Sequence, residues 1–194
     1  MVKKVLFAGL LSVATVFGVS AQKLTGSISP LKGQKEVNLV IDFSATLVNG
    51  KTKDKFIAET TKGKTEAEKE RWLVEWNDTL PSHSFGLLTK TLNEKVAKNH
   101  FSVGKFADAE YTIIIKVKEI QAGYYVGVSS RASEIKSEVS FIKTGETTPF
   151  ATIEYKKSRD SFSSYMPYWV TRIVMSFGKL GTEIGDTINK ALKN

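Results

Sequence analysis

Four stretches of the chain alternate apolar and polar residues with the period of two that β-strands show. They cover residues 110–120, 124–128, 135–141 and 151–155. One face of such a strand turns to the core and the other to solvent, so they predict an antiparallel meander. An earlier stretch, residues 37–43, is apolar on both faces, which predicts a central strand covered on both sides.

A helix is predicted from Thr65 to about Leu80. Thr65 and Glu68 have the spacing of a capping box, in which each side chain accepts a hydrogen bond from the other residue's free amide. Trp72 and Trp76 lie four residues apart on the inner face of this helix. The proline that follows Leu80 disfavours continuation, so the helix is expected to end there.

A second helix follows directly, with Ser82 or Ser84 as its N-cap and an end near Asn99. Residues 101–106 then predict a short strand. The lysine-rich residues 49–64, ahead of the first helix, predict a long loop or a short edge strand. The apolar stripe of the second helix has helical spacing and consists of Phe85, Leu88, Leu92 and Val96.

The C-terminal segment predicts one long helix. Pro167 suits its first turn, and apolar residues recur at helical spacing from Val170 to the end of the chain. Gly178, Gly181 and Gly185 lie within it, and each costs about 1 kcal/mol relative to alanine. Close approach of the helix to the sheet is the predicted compensation, and pairing through a Gly-x-x-x-Gly face is the alternative.

These elements together predict an α+β domain. Its sheet is mostly antiparallel with about five strands, and the two consecutive helices and the long C-terminal helix pack mainly on one face. A chain of 194 residues is of a size that one hydrophobic core can hold. Residues 22–36 are polar and contain glycine and proline, which predicts an extended leader. Residues 37–194 are then the single domain.

The first 21 residues predict export. Met1-Val-Lys-Lys is cationic, the run from Val5 to Val19 is almost entirely apolar, and small residues end at Ala21. This is the pattern of a signal peptide cleaved after Ala21. The alternative, a membrane anchor, is disfavoured because the run is shorter than the roughly 20 residues that a spanning helix needs. The chain has no cysteine, so a lipid-modified cysteine is excluded. We expect a periplasmic or secreted protein that is neither a transmembrane protein nor a lipoprotein.

The charge balance is modestly basic. The formal net charge is +8, and loss of Lys3 and Lys4 with the signal peptide lowers it by two. Such an excess is compatible with anionic lipid, with acidic glycans or simply with solubility. Nucleic acid is not an expected partner, because the chain is exported and contains no nucleic-acid-binding motif.

No catalytic motif emerges from the residues. His83 and His100 are the only histidines, and both are interpreted as structural. Without cysteine, a thiol nucleophile and thiolate zinc sites are impossible, and the Walker and nucleophile-elbow patterns are absent. No metal, cofactor or enzymatic activity is expected. The alternative is a hydrolase with paired carboxylates, for which the chain offers Asp42, Asp54, Glu59, Glu70, Glu75, Asp78, Asp108 and Asp160.

Aromatic and cationic residues are dense just before the C-terminal helix, after a serine-rich loop. A second aromatic pair, Tyr124-Tyr125, points its rings to opposite faces of its strand, so one ring should be exposed. The alternative explanation of the aromatic residues before the C-terminal helix is that they pack the start of that helix against the sheet. The predicted partner surface consists of Tyr125, Arg159, Tyr165, Tyr168, Trp169 and Arg172.

The order of elements along the chain follows a recognisable layout. An apolar strand ends in Asp42 and Phe43, a helix carries Phe85, Leu88 and Leu92, and the strand from Tyr111 to Val117 precedes further strands and a long C-terminal helix. This layout resembles that of Gram-negative envelope domains, including the periplasmic domain of the curli secretion channel and the amino-terminal domain of the Tol-Pal propeller protein. It is also similar to small secreted and periplasmic proteins of Gram-negative anaerobes that share an ending like Gly178-Lys-Leu-Gly-Thr-Glu-Ile-Gly185. The resemblance covers roughly residues 36–192 and implies a fold and a compartment, with no site residues.

The sequence therefore predicts a non-catalytic exported protein that binds another envelope component, as an adaptor or accessory protein. Its partner is expected to be an envelope protein or an anionic glycan or lipid. Two alternatives stay open: a carboxylate hydrolase of envelope glycan or peptide, and a carrier that holds a small ligand between the sheet and the helices.

Overall fold

A computed structural model of the chain describes residues 24–193. The predicted signal peptide, its cleavage site and the start of the predicted leader lie outside these residues. None of the helices between residues 24 and 193 combines the length and the apolar composition that a membrane-spanning helix needs.

The protein has an α+β fold whose main sheet contains eight strands, more than the five or so expected. Its strands are β1 (Leu24–Gly26), β2 (Glu36–Asp42), β3 (Leu47–Val48), β4 (Lys51–Thr52), β5 (Ser102–Gly104), β6 (Tyr111–Gln121), β9 (Glu134–Lys143) and β10 (Ala151–Ser158). The sheet is mixed, because β2 pairs in parallel with both β5 and β6. The order across it is β1-β10-β9-β6-β2-β5, and the short β3 pairs with β4 and with the end of β6.

The long strands β6, β9 and β10 form the antiparallel half of the sheet, as their alternating pattern predicts. Their apolar faces are buried beneath the helices. The opposite face carries ion pairs, including Lys118 with Glu138 at 2.7 Å and Lys136 with Glu119 at 2.6 Å. Val40 in β2 points away from the core and is exposed, so the prediction that β2 is covered on both sides is wrong.

The predicted extended leader belongs to the folded unit from Leu24 onwards. Residues Leu24–Gly26 form β1, which pairs with the outer edge of β10. Ile28 and Leu31 are then buried in the core. The segment is ordered, and not an extended leader, because burial of these two large apolar side chains stabilises it.

Four α-helices are present in the described chain: α1 (Lys53–Thr60), α2 (Glu66–Val74), α3 (Leu80–Val96) and α4 (Trp169–Leu192). Helix α1 replaces the loop or edge strand predicted there. It is short, and Phe56 and Ile57 anchor it to the core while its charged residues stay exposed. The capping box of Thr65 and Glu68 starts α2 as predicted.

Pro81 does not separate α2 from α3. A π-helical turn, Glu75–Thr79, joins the two helices, and Pro81 lies in the first turn of α3, where a missing amide is tolerated. Neither Ser82 nor Ser84 caps α3. The predicted apolar stripe of α3 is present, with Leu88, Leu92 and Val96 buried.

The glycines of α4 face α3, not the sheet. A Cβ added to Gly178 would meet the Leu87 side chain at 2.9 Å, and one added to Gly181 would lie 2.5 Å from the carbonyl oxygen of Leu88. Thr91 Oγ1 in α3 donates a hydrogen bond of 2.8 Å to the carbonyl oxygen of Gly178. The predicted close approach to the sheet is therefore wrong, and the alternative, pairing of the helix through its glycine-bearing face, is what the structure shows.

The chain leaves the sheet after β6 and forms a separate hairpin. Strands β7 (Tyr124–Tyr125) and β8 (Ser130–Arg131) pair only with each other among the described strands. The half-buried strand predicted over residues 124–128 is therefore wrong, since Val126 and Val128 are exposed at the hairpin tip. The positive φ of Gly123 turns the chain at the hairpin base, where an added Cβ would collide with the backbone of Arg131 and Ala132.

Candidate functional site

The hairpin β7–β8 exposes an unusual amount of apolar surface. Val128 at its tip is fully exposed, and Val126 is 64% exposed. Tyr124 and Tyr125 at its base are also exposed, and the Tyr124 hydroxyl lies 3.2 Å from that of Ser129. Val126 and Val128 bury little of their surface, so packing of the core does not explain these two side chains.

A 3-10 turn, Ser161–Tyr165, lies against the hairpin and adds to this surface. The backbone amide of Ser133 donates to Ser163 Oγ at 3.1 Å and joins the two elements. Phe162 and Tyr165 project from the turn with 72% and 66% exposure. We call the combined surface the aromatic end; it consists of Tyr124, Tyr125, Val126, Val128, Phe162, Tyr165 and Tyr168.

Arg172 holds the aromatic end together from inside. Its guanidinium donates to the carbonyl oxygens of Met166 at 2.7 Å, Pro167 at 2.8 Å and Ala122 at 3.3 Å. The residue is 6% exposed, and burial lowers its pKa from the ordinary value. It therefore fixes the hairpin base to the loop before α4 and does not present its charge to a partner, contrary to the prediction for this residue.

Trp169 is half-buried in a stack of indole rings. Its ring stacks on Trp72 at a centroid distance of 4.4 Å with planes 2° apart, and on Trp76 at 5.7 Å. Its indole Nε1 donates to Glu75 at 2.9 Å. All three tryptophans of the chain are in this stack. Because the rings cover one another, they anchor the start of α4 to α2 and the π-helical turn, and one face of Trp169 is not free to stack on a sugar.

Tyr168 remains exposed beside this stack. Partial burial raises the pKa of its phenol, and its hydrogen bond with Glu75 raises it further. The phenol is therefore neutral at neutral pH, and its one proton is donated to the Glu75 carboxylate.

The charges around the aromatic end have a positive balance. Glu134 pairs with Lys157 at 3.1 Å, and the Asp160 carboxylate accepts the backbone amide of Phe162 at 2.8 Å. Arg131 and Arg159 are exposed, and within residues 24–193 neither has a carboxylate partner in salt-bridge distance. Among the described residues, Arg131 and Arg159 thus form no ion pair, and the five charged groups together leave a net charge of +1.

A second candidate site is a groove between β2 and the start of α3. It consists of two adjoining cavities of about 550 and 650 Å³, which share Phe43, Asn77 and Pro81. Trp76 and Leu80 contribute apolar walls to the first cavity. Both volumes lie in the range of small-molecule sites.

Carboxylates are sparse in this groove. Asp54 lines the first cavity and Asp78 the second. Asp42, the carboxylate inside an apolar strand, accepts the backbone amide of Ser44 at 2.8 Å. Hydrogen bonds from the Ser44 side chain and amide lower the pKa of Asp42 below its usual value, which gives this residue a local turn-forming role. Residues 24–193 contain no cluster of three or more His, Asp or Glu side chains that is arranged to hold a metal ion.

The structure places the predicted surface residues in two groups. Tyr125, Tyr165 and Tyr168 are exposed at the aromatic end, and Arg159 lies at its margin. Arg172 is buried beneath it, and Trp169 is half-buried in the tryptophan stack. Sequence reasoning missed Val126, Val128 and Phe162. The signal for the valines was present in Gly123 and Gly127, which make residues 123–128 a poor strand, but alternation suggested a buried face instead.

The chain matches no protein-family model, and no curated protein matches its sequence. Among solved structures, a PelC dodecamer from Paraburkholderia phytofirmans is similar at 12% identity and a TM-score of 0.41, covering 83% of this chain and 96% of that one. A point variant of that dodecamer is similar at 12% identity and a TM-score of 0.37, covering 82% of this chain and 97% of that one. At these values the likeness identifies no function.

Proposed function

We propose that this protein is a non-catalytic accessory protein of the cell envelope, which binds another envelope component through the aromatic end. The observation that carries the proposal is the exposed apolar surface of the hairpin and the 3-10 turn. Contiguous exposed apolar patches on a folded domain mark interaction sites, since burial of such a patch in a partner recovers the hydrophobic free energy that folding leaves unused.

The rigidity of this surface supports a binding role. Arg172 fastens the hairpin base to the loop before α4, and the tryptophan stack fixes the start of that helix. A surface that is ordered before binding loses little conformational entropy when it binds. The predicted signal peptide and the resemblance to envelope domains support the periplasmic or secreted location.

The test is site-specific photocrosslinking in the envelope of the producing organism. Photoreactive residues at Tyr125 and Tyr165 should form adducts with an envelope protein, glycan or lipid. A photoreactive residue at Ala107 is the matched control, because Ala107 is exposed at the opposite end of β6 from the hairpin. If the two tyrosine positions give no more adduct than position 107, the proposed function is wrong.

The groove supports a second candidate, a carrier of a small apolar ligand. Its volume and its apolar walls are the observation in favour. Trp76 lines the first cavity and belongs to the tryptophan stack, so a bound ligand should alter the intrinsic fluorescence. Ligand extracted from the native protein and identified by mass spectrometry tests this candidate. A Leu47→Arg variant, which places charge at a partly exposed apolar position of the first cavity, should then lose the ligand, and unchanged loading would exclude the groove as the binding site.

A further inference from the structure

We propose that the partner of the aromatic end is the surface of an anionic lipid bilayer, into which Val126, Val128 and Phe162 insert. This inference rests on the function proposed above and names the component that is bound. The argument combines the shape of the surface, the order of residue types along it and its charge.

The shape is the first step. Val128 is fully exposed at the tip of a two-stranded hairpin, so a protein partner would have to supply a pocket that fits this side chain. Protein interfaces gain most of their binding energy where anchors fill pockets, in closely packed and desolvated centres. A bilayer needs no complementary pocket, because lipid chains rearrange around any apolar projection.

The order of residue types is the second step. The purely apolar side chains of Val128 and Phe162 have the highest exposures at this end, followed by Tyr165 at 66% and Val126 at 64%. Tyr124 and Tyr125 lie nearer the body of the protein, at the hairpin base. Tyrosine prefers the interface between lipid chains and headgroups, where its ring is in an apolar environment and its hydroxyl stays hydrated. From the tip towards the body of the protein, the residues are first apolar, then tyrosine, then charged. This order matches the polarity profile of one leaflet of a bilayer.

The charge is the third step. Arg131 pairs with Tyr124 at the hairpin base, and Arg159 precedes the 3-10 turn. Lys157 neutralises Glu134, whereas Asp160 keeps its charge, so these five groups carry a net charge of +1. Anionic lipids attract cationic side chains that lie at the level of their headgroups. Each such side chain raises the affinity for the membrane about fivefold. An anionic bilayer is therefore favoured over a zwitterionic one.

The experiment is flotation of the purified protein with two kinds of vesicle, one of phosphatidylcholine alone and one of phosphatidylcholine mixed with phosphatidylglycerol. We expect co-flotation with the anionic vesicles, weakened by salt and by Arg131→Gln or Arg159→Gln. Val128→Asp should weaken binding roughly tenfold or more, because a charged side chain replaces an inserting one. Val128 is fully exposed, so the variant should fold normally, which unchanged thermal unfolding would verify.

Val40→Asp is the matched control, since Val40 is another exposed valine, located in β2 outside the aromatic end. It should bind vesicles as the wild type does. Absence of flotation with anionic vesicles, or equal flotation of the Val128→Asp and wild-type proteins, would overturn the inference. If flotation fails while Tyr125 and Tyr165 crosslink to one envelope protein, the lipid inference is wrong and the proposed accessory function stands.

Discussion

The contact between α3 and α4 predicts a large effect from a single methyl group. In Gly181→Ala the new Cβ would lie 2.5 Å from the Leu88 carbonyl oxygen and still closer to Thr91 Oγ1. A backbone carbonyl in a helix cannot swing aside as the end of a flexible side chain does. The two helices must therefore separate, and the hydrogen bond from Thr91 to the carbonyl of Gly178 is then weakened.

The magnitude follows from three opposing contributions. Overpacking typically costs about 1–3 kcal/mol, and loss of one hydrogen bond costs about 1 kcal/mol more. The better helix propensity of alanine returns about 1 kcal/mol. We expect Gly181→Ala to lower the free energy of unfolding by about 2 kcal/mol, which corresponds to a fall in Tm of about 4–8 °C for a protein of this size.

Urea unfolding followed by tryptophan fluorescence measures this effect. Gly86→Ala is the matched control, because Gly86 is an exposed glycine in α3 with no atom within 4 Å of an added Cβ. That substitution should stabilise the protein by about 1 kcal/mol through helix propensity alone. If Gly181→Ala were as stable as Gly86→Ala, the close approach of the two helices would be refuted.

Three further predictions concern the candidate site and its surroundings. Arg172→Met should lower the free energy of unfolding by about 3 kcal/mol, because three carbonyl oxygens lose a charged donor. Amide hydrogen exchange in residues 124–131 should also become faster. Arg172→Lys should not restore the protection from exchange, and full restoration would contradict the role of the guanidinium group. Trp169→Phe should abolish the exciton signal of the stacked indoles in circular dichroism, and persistence of the signal would show that the stack with Trp72 is not its source. The pKa of Asp42 is lowered in the folded state, so its stabilisation is present above the unfolded pKa of about 3.8 and lost as the pH falls through the lower folded value. The difference in unfolding free energy between wild type and Asp42→Asn should shrink over that acidic range, and a pH-independent difference would contradict this account.

Local patterns in the sequence predicted several elements well. The capping box of Thr65 and Glu68, the strands β6, β9 and β10 and the helix α4 all follow from spacing and alternation. In each case the signal is contained in the element itself, because a cap needs two residues three apart and a half-buried strand needs only its own alternation.

Other features depended on partners elsewhere in the chain. The parallel pairing of β2 with β6 cannot be predicted from the sequence of either strand, because the alternation of side chains is the same in parallel and antiparallel pairs. Helix α1 is lysine-rich and weakly apolar, and it exists because Phe56 packs against Trp72 and Trp76. Pro81 disfavours a helix locally, yet the π-helical turn before it connects α2 and α3 without a break.

The residues of the candidate surface also include some that the sequence identifies and some whose role depends on distant partners. Tyr125, Tyr165 and Tyr168 could be chosen from the sequence, because exposed aromatic residues beside loops are typical of binding surfaces. The roles of Trp169 and Arg172 could not, since a stacked indole and a buried guanidinium differ from exposed ones only in their neighbours.

By itself, then, the sequence determined the α+β class, the glycine-bearing C-terminal helix and the aromatic character of the segment before it. These properties depend on short-range spacing and composition, which a linear chain displays directly. Only the tertiary structure decided that the glycines face α3 and that residues 124–131 leave the sheet. It also brought Val128 and Phe162 to one end of the protein. Their common exposure arises from contacts between segments that are distant in sequence, and no local pattern encodes such contacts.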